Sequence, residues 1–161
     1  MIRHASPKDI PAITEIYNDA ILNSTATFDL EPKTLEDRNE WLLSHKANHP
    51  VLVYEKDGQV VAYASLSAYR DKKAYDHSVE LSLYIDKNFR GIGIGNELMT
   101  EILEQAKQHP NIHTVISVIT GGNQASIYLH EKFGFTHCGR VKETGCKFGN
   151  YLDIDIYQIM V

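Results

Sequence analysis

The chain has 161 residues, 43% hydrophobic and 23% charged, which fits one core and would cramp a second. Sixteen basic against 21 acidic residues give a formal net charge of −5, so affinity founded on neutralising nucleic-acid phosphates is not expected. No apolar run approaches the roughly 20 residues that span a bilayer, residues 1–9 lack the apolar stretch of a signal peptide, and Cys138 and Cys146 are too few for a disulfide framework. The expectation is one cytoplasmic domain, residues 1–161, with no membrane or nucleic-acid partner.

In chain order, Ile2 to Ala5 reads as a short strand, followed by a helix start with Ser6 as N-cap, Pro7 at N1 and Asp9 at N3. Ile10, Ile13, Tyr17, Ala20 and Ile21 give that helix one apolar stripe. After a loop around residues 23–32, Thr34 and Asp37 form a capping pattern for a second helix that must stop before Pro50. Val51 to Lys56 and Gln59 to Ser67 are strands joined by Asp57-Gly58, a strong hairpin signal because both turn positions take positive φ. A polar loop, Tyr69 to His77, leads to a strand from Val79 to Asp86.

Past the glycine cluster of residues 91–95, Ile94, Leu98, Ile102 and Ala106 mark an amphipathic helix that Pro110 ends. His113 to Thr120 is a β-branched strand, Ala125 to Lys132 a short helix, and the tail holds strands at Thr136 to Thr144 and Tyr151 to Met160. The order βα α ββ β α β α ββ predicts a mixed sheet with helices on its faces, an α/β (or α+β) fold.

Chemistry concentrates at residues 83–95, where a strand runs through Arg90-Gly91-Ile92-Gly93-Ile94-Gly95 into a helix. Backbone N–H groups at such a turn converge on one spot and the helix dipole adds positive potential, which suits a pyrophosphate. The turn is not a dinucleotide fingerprint, because Asn96 follows Gly95, and it lacks the Gly-Lys-Ser/Thr of a P-loop. His45 and His49, and likewise His109 and His113, share a four-residue spacing, but Pro50 and Pro110 interrupt both and no third ligand lies near, so no metal is expected.

The turn resembles the Arg/Gln-x-x-Gly-x-Gly/Ala signature of the GNAT superfamily of acetyl-CoA-dependent N-acetyltransferases. Asn123-Gln124-Ala125-Ser126-Ile127 through His130-Glu131-Lys132-Phe133-Gly134-Phe135 is similar to that family's second block. Three further stretches resemble the phosphinothricin acetyltransferase branch: residues 24–28 with Glu31-Pro32, Ala74-Tyr75-Asp76 with Glu80, and residues 145–151 with Asp153 and Gln158. The resemblance implies the GNAT fold, a mixed and mostly antiparallel sheet splayed between its fourth and fifth strands, flanked by helices, with acetyl-CoA as co-substrate in the gap.

It also implies roles. Leu83, Tyr84 and Ile85 would offer backbone groups to the pantetheine arm and acetyl carbonyl; Arg90, Gly91, Ile92, Gly93, Ile94 and Gly95 would hold the pyrophosphate; Asn123 would contact the pantetheine. The family often has a proline where this chain reads Asp86-Lys87-Asn88, a change that backbone-mediated binding tolerates. Glu80 matches the branch's base for deprotonating the amine, and His130 takes the position of the superfamily's tyrosine acid, with Tyr128 as an alternative donor. Phe28, Arg70, Tyr75 and Lys147 are the acceptor-pocket candidates, and a cluster of cations and aromatics at residues 69–75 suits a carboxylate or phosphinate. The implied reaction is acetyl transfer to a small amino-acid-like amine such as phosphinothricin, methionine sulfone or sulfoximine, and the family suggests a homodimer. The competing readings are another amine, such as a polyamine or protein N-terminus, and a non-catalytic acyl-CoA sensor.

Overall fold

In the computed structural model, which describes residues 1–161, seven strands form one sheet in the order β1-β2-β3-β4-β5-β7-β6. The strands are β1 (Ile2–His4), β2 (Val51–Lys56), β3 (Gln59–Ala68), β4 (Ser78–Ile85), β5 (Thr114–Thr120), β6 (Thr136–Lys147) and β7 (Asn150–Met160). The helices are α1 (Ile10–Asn23), α2 (Leu35–Leu43), α3 (Ile94–Gln108) and α4 (Gln124–Lys132). Every expected element is present in the expected order. No helix is long and apolar enough to cross a membrane.

Local chemistry sets most boundaries. The Ser6 N–H donates to the Asp9 carboxylate at 2.8 Å, but the first turn, Pro7–Asp9, is a 3-10 turn and the α-helix proper begins at Ile10. Thr34 and Asp37 close a reciprocal capping box on α2, with bonds of 2.9 and 3.0 Å. Asp57 and Gly58 both take positive φ, +51° and +78°, and join β2 to β3 as a two-residue hairpin. Strand β6 runs three residues past the expected end at Thr144, because register shifts after His137 and Val141 let it stay paired with β7.

Both faces of the sheet are covered. Leu98, Met99, Ile102 and Ala106 of α3 pack with Leu66, Val79, Leu81 and Val115 in the larger core. On the opposite face, Ile13, Ile16, Tyr17 and Ile21 of α1 pack on Val53 and Tyr63. Helix α2 is pinned there by Arg38, whose guanidinium lies 3.8 Å from the Trp41 ring centroid and 4.4 Å from that of Tyr17, and donates to the Tyr63 hydroxyl at 3.2 Å.

One strand pair decides where a ligand fits. Every neighbouring pair is antiparallel except β4 and β5, which run parallel and stay in register only over Ser78↔Thr114, Val79↔Val115 and Glu80↔Ile116. Beyond that point β4 continues to Ile85 on β3, and β5 continues to Thr120 on β7. The sheet therefore parts after Glu80, which is the splay expected between the fourth and fifth strands.

Candidate active site

The backbone bordering this gap follows from strand alternation. Asp86 N–H donates to Val61 C=O at 2.8 Å, so alternate residues of β4, Tyr84 included, turn their backbone toward β3. Leu83 and Ile85 turn theirs toward the gap, where β5 no longer pairs with them. Of the three residues expected to present backbone groups, two do so, and Tyr84 contributes a side chain on the opposite side of the sheet. On the other wall, Val161 N–H donates to His113 C=O and Gly121 N–H to Asp153 C=O, which leaves Val118 to face the gap with its backbone. Sequence alone did not single out Val118, although the alternating strand at 113–120 contained the signal.

The glycine turn stands at the mouth of the gap. Gly91 and Gly93 take φ of +75° and +95°, and a Cβ on either would meet no atom within 4 Å. Their need for glycine is conformational. Gly95 is different: a Cβ there would sit 3.4 Å from both Ile85 Cδ1 and Leu129 Cδ2, so it sets the approach of α3 to β4 and α4. Gly93 caps α3, and the first intrahelical bond is Glu97 N–H to Gly93 C=O, so the N–H groups of Ile94, Gly95 and Asn96 remain available. Arg90 is exposed and its Nε donates to Ile85 C=O at 3.3 Å, holding the guanidinium beside the turn. Opposite, Asn123 Oδ1 accepts from Ser126 N–H at 3.3 Å and caps α4, leaving the amide nitrogen to donate elsewhere. Free amides, a helix N-terminus and a cation converge as an anionic pyrophosphate requires.

At the apex, Glu80 occupies the last paired position with Ile116. Its side chain is half-buried with no salt-bridge partner, and burial raises its pKa above the ordinary carboxylate range. Ser82 and Tyr84 follow on the same face. Tyr84 is packed against Tyr17 and Tyr63, and burial, set against a bond from Thr27, pushes its phenol up to about 12.

The acceptor candidates fall into two groups. Residues 24–33 cross the sheet face as a loop tied down from three directions. Thr120 Oγ1 donates to Thr25 C=O at 2.6 Å, Lys147 Nζ donates to Thr27 C=O at 2.8 Å, and the Phe28 ring lies flush on Gly145. A Cβ on Gly145 would fall 2.6 Å from Phe28 Cδ2 and 2.9 Å from Cζ. Tyr17 donates its hydroxyl to Asp29 and lies 3.1 Å from Thr27 Oγ1. Lys147 is therefore buried (3% exposed), its pKa lowered by burial, and committed to shaping the loop rather than standing free for a carboxylate. Arg70 and Tyr75 form the second group: the Arg70 guanidinium lies 5.1 Å from the Tyr69 centroid and 5.8 Å from that of Tyr75, at the rim of a cavity of about 430 Å³.

His130 departs from expectation. It is 5% exposed, its Nδ1 lies 2.7 Å from Ser126 C=O and its Nε2 2.8 Å from Ser117 Oγ. Both nitrogens are engaged, and burial lowers the pKa, which favours the neutral ring over the imidazolium that a proton donor needs. Tyr128, the alternative donor, is 70% exposed.

Residues 12–135 match the model of the acetyltransferase (GNAT) family. This chain belongs to that family. A phosphinothricin N-acetyltransferase of Streptomyces coelicolor is 36% identical over 161 residues, covering 98% of this chain and 94% of the relative. Among solved structures, a ribosomal-protein-alanine N-acetyltransferase from Brucella melitensis superposes with a TM-score of 0.97 at 43% identity, covering 100% of this chain and 99% of that one. A phosphinothricin acetyltransferase from Sinorhizobium meliloti, in complex with acetyl-CoA, superposes at 0.94 with 34% identity, covering 100% and 88%. This GNAT chain is an acetyl-CoA-dependent N-acetyltransferase, and acetyl-CoA is its co-substrate. The free amides, positive-φ glycines and exposed Arg90 at the gap suit the pyrophosphate of that molecule.

Proposed function

We propose that this acetyltransferase acts on the free amine of a small amino-acid-like molecule, of the phosphinothricin, methionine sulfone or sulfoximine type, by direct attack in a ternary complex. The observation that carries the reading is the placement of Glu80: an unpaired, half-buried carboxylate at the point where β4 and β5 part. A primary amine near neutral pH is mostly protonated, and Glu80, directly or through one water, removes that proton. The neutral nitrogen then forms a bond to the acetyl carbonyl carbon. Leu83 N–H, turned into the gap, stabilises the negative charge on the carbonyl oxygen. The carbon–sulfur bond breaks, and the second nitrogen proton leaves to solvent. With an ordinary thiol pKa near ~8.5, the departing sulfur is a tolerable thiolate and needs no dedicated acid.

Two groups of residues are assigned to the acceptor on this reading. Phe28 on its Gly145 seat, shaped by Lys147, offers an apolar wall, while Arg70 with Tyr75 offers a cation for an anionic group. The Streptomyces coelicolor relative, similar over nearly its whole length, supports a small acceptor. The Brucella melitensis structure favours a second reading, in which the acceptor is a protein N-terminus. We also propose that the enzyme is cytoplasmic, on the grounds of its two cysteines, and a homodimer, as the family resemblance suggests. Thiol release from acetyl-CoA, monitored with amino-acid analogues, polyamines and short peptides, separates the readings. Turnover with phosphinothricin-type amines is expected. Turnover on peptides alone would replace the small acceptor, and binding of acetyl-CoA without release on any amine would replace catalysis with sensing.

A further inference from the structure

One wall of the gap is β4 with the glycine turn and α3; the other is β5 with α4, the helix whose N-cap is Asn123. His130 joins the two parts of that second wall. A carbonyl only accepts, so the proton of the neutral ring sits on Nδ1, donated to Ser126 C=O within the same helix. Nε2 is then the acceptor, and Ser117 donates its hydroxyl proton to it across to β5. The ring is further fixed edge-on against Phe135, with centroids 4.8 Å apart at 74°. Ser117 is the residue immediately after Ile116, where β5 makes its last pairing with β4, and it is 2% exposed. The fastening therefore lies where the two strands separate, and it ties the helix carrying Asn123 to the diverging strand.

We propose that His130 and Ser117 form a positioning pair that fixes the second wall of the gap and so sets acetyl-CoA affinity, and that His130 donates no proton to the reaction. The inference rests on reading the gap as the acetyl-CoA site. The proton inventory agrees with it, since the nitrogen facing β5 carries no hydrogen in the neutral ring and the nitrogen that does is occupied by a carbonyl of its own helix.

The test compares Ser117→Ala, His130→Ala and His130→Gln in the full-length enzyme, with acetyl-CoA affinity measured by calorimetry and steady-state kinetics followed across pH. Ser117→Ala and His130→Ala are expected to weaken acetyl-CoA about tenfold, the equivalent of about 1.4 kcal/mol, in Kd and KM alike. Their kcat and pH profile should stay near those of the parent. His130→Gln offers an acceptor oxygen to Ser117 and cannot titrate near neutrality, so it should restore most of the affinity. A hundredfold fall in kcat for His130→Gln, with a displaced basic limb, would make His130 a proton donor and overturn the proposal. Unchanged acetyl-CoA affinity in Ser117→Ala would overturn it as well, and that variant leaves the imidazole in place should His130→Ala fail to fold. Gly93→Val is the control for the site itself. If it binds acetyl-CoA as the parent does, the gap reading fails and the positioning pair with it; if it binds weakly while Ser117→Ala does not, only the positioning pair fails.

Discussion

The two ends of the active site are made of different material. At the end where we propose that acetyl-CoA binds, main chain predominates: amides at the start of α3, two positive-φ glycines, and the backbone of Leu83, Ile85 and Val118 that no neighbouring strand pairs. At the proposed acceptor end, the candidates are side chains from four segments distant in sequence, namely Phe28 on its Gly145 seat, Glu80, Lys147, and Arg70 with Tyr75. A main-chain site is fixed by the fold and tolerates many side chains. A side-chain site can be retuned one residue at a time, which suits a family whose members share a co-substrate and differ in acceptor.

The sharpest way to break this contrast is Glu80→Gln, which removes the one ionisable group at the apex. Its kcat should fall by about 10²–10⁴-fold, the usual worth of a general base, while acetyl-CoA affinity stays that of the parent. Because burial raises the Glu80 pKa, the acid limb of the parent's pH–rate profile should lie above the ordinary glutamate value of about 4.3, and it should vanish in the variant. The sign for stability is opposite to that for activity. A carboxyl raised in the folded state favours folding below its ordinary pKa, and loses that contribution as pH rises through the folded value. Glu80→Gln should therefore unfold no earlier than the parent at neutral pH, and an early melt would attribute the lost turnover to misfolding.

A second test changes the acceptor end without touching an ionisable group. Gly145→Ala places a methyl 2.6 Å from Phe28 Cδ2, so the ring must lift, and the 24–33 loop with it. Overpacking of this kind costs about 1–3 kcal/mol. The acceptor KM should rise roughly tenfold, the kinetic equivalent of ~1.4 kcal/mol, with little change in the KM for acetyl-CoA. Equal increases in both constants would show that the two ends are not independent.

The same contrast governs how much could be read from sequence. Arg90 to Gly95 is one contiguous stretch whose residue types carry their own conformational meaning, and its surroundings emerged as expected. The same holds for the Thr34–Asp37 box and the Asp57-Gly58 hairpin, where three or four residues contain the whole cause. The place where β4 and β5 separate was legible only through family resemblance, because register depends on what each strand packs against. Lys147 and Thr27 are 120 residues apart, so nothing in either neighbourhood shows that the ammonium is spent on a loop carbonyl. The residue type at His130 was visible, but its proton inventory was not, since Ser117 lies on another element. Tyr84 shows a smaller version of the same limit: its membership of the strand was clear, and the direction of its backbone required the bond from Asp86 to Val61.

The smallest effect on the site should come from the far edge of the sheet, where charge serves only stability. Asp9 accepts from Arg3 Nη1 and Nη2 at 2.8 and 2.9 Å and from Ser6 N–H at 2.8 Å, tying β1 to the first turn before α1. The guanidinium of Arg3 holds this carboxyl at a pKa of about 2. A depressed folded-state pKa contributes stability that is present above the ordinary carboxylate value and lost as pH falls through the folded one. Asp9→Asn should lower stability by about 2 kcal/mol at neutral pH, with both KM values and kcat unchanged at temperatures where the variant is folded. Melting temperatures of parent and variant, followed downward from pH 6, should draw together between about pH 4 and pH 2, as the parent's Asp9 takes up its proton. Parallel melting curves over that interval would mean that the Arg3–Asp9 bridge contributes packing and no net charge stabilisation, and a changed acceptor KM would mean that the edge of the sheet is coupled to the gap after all.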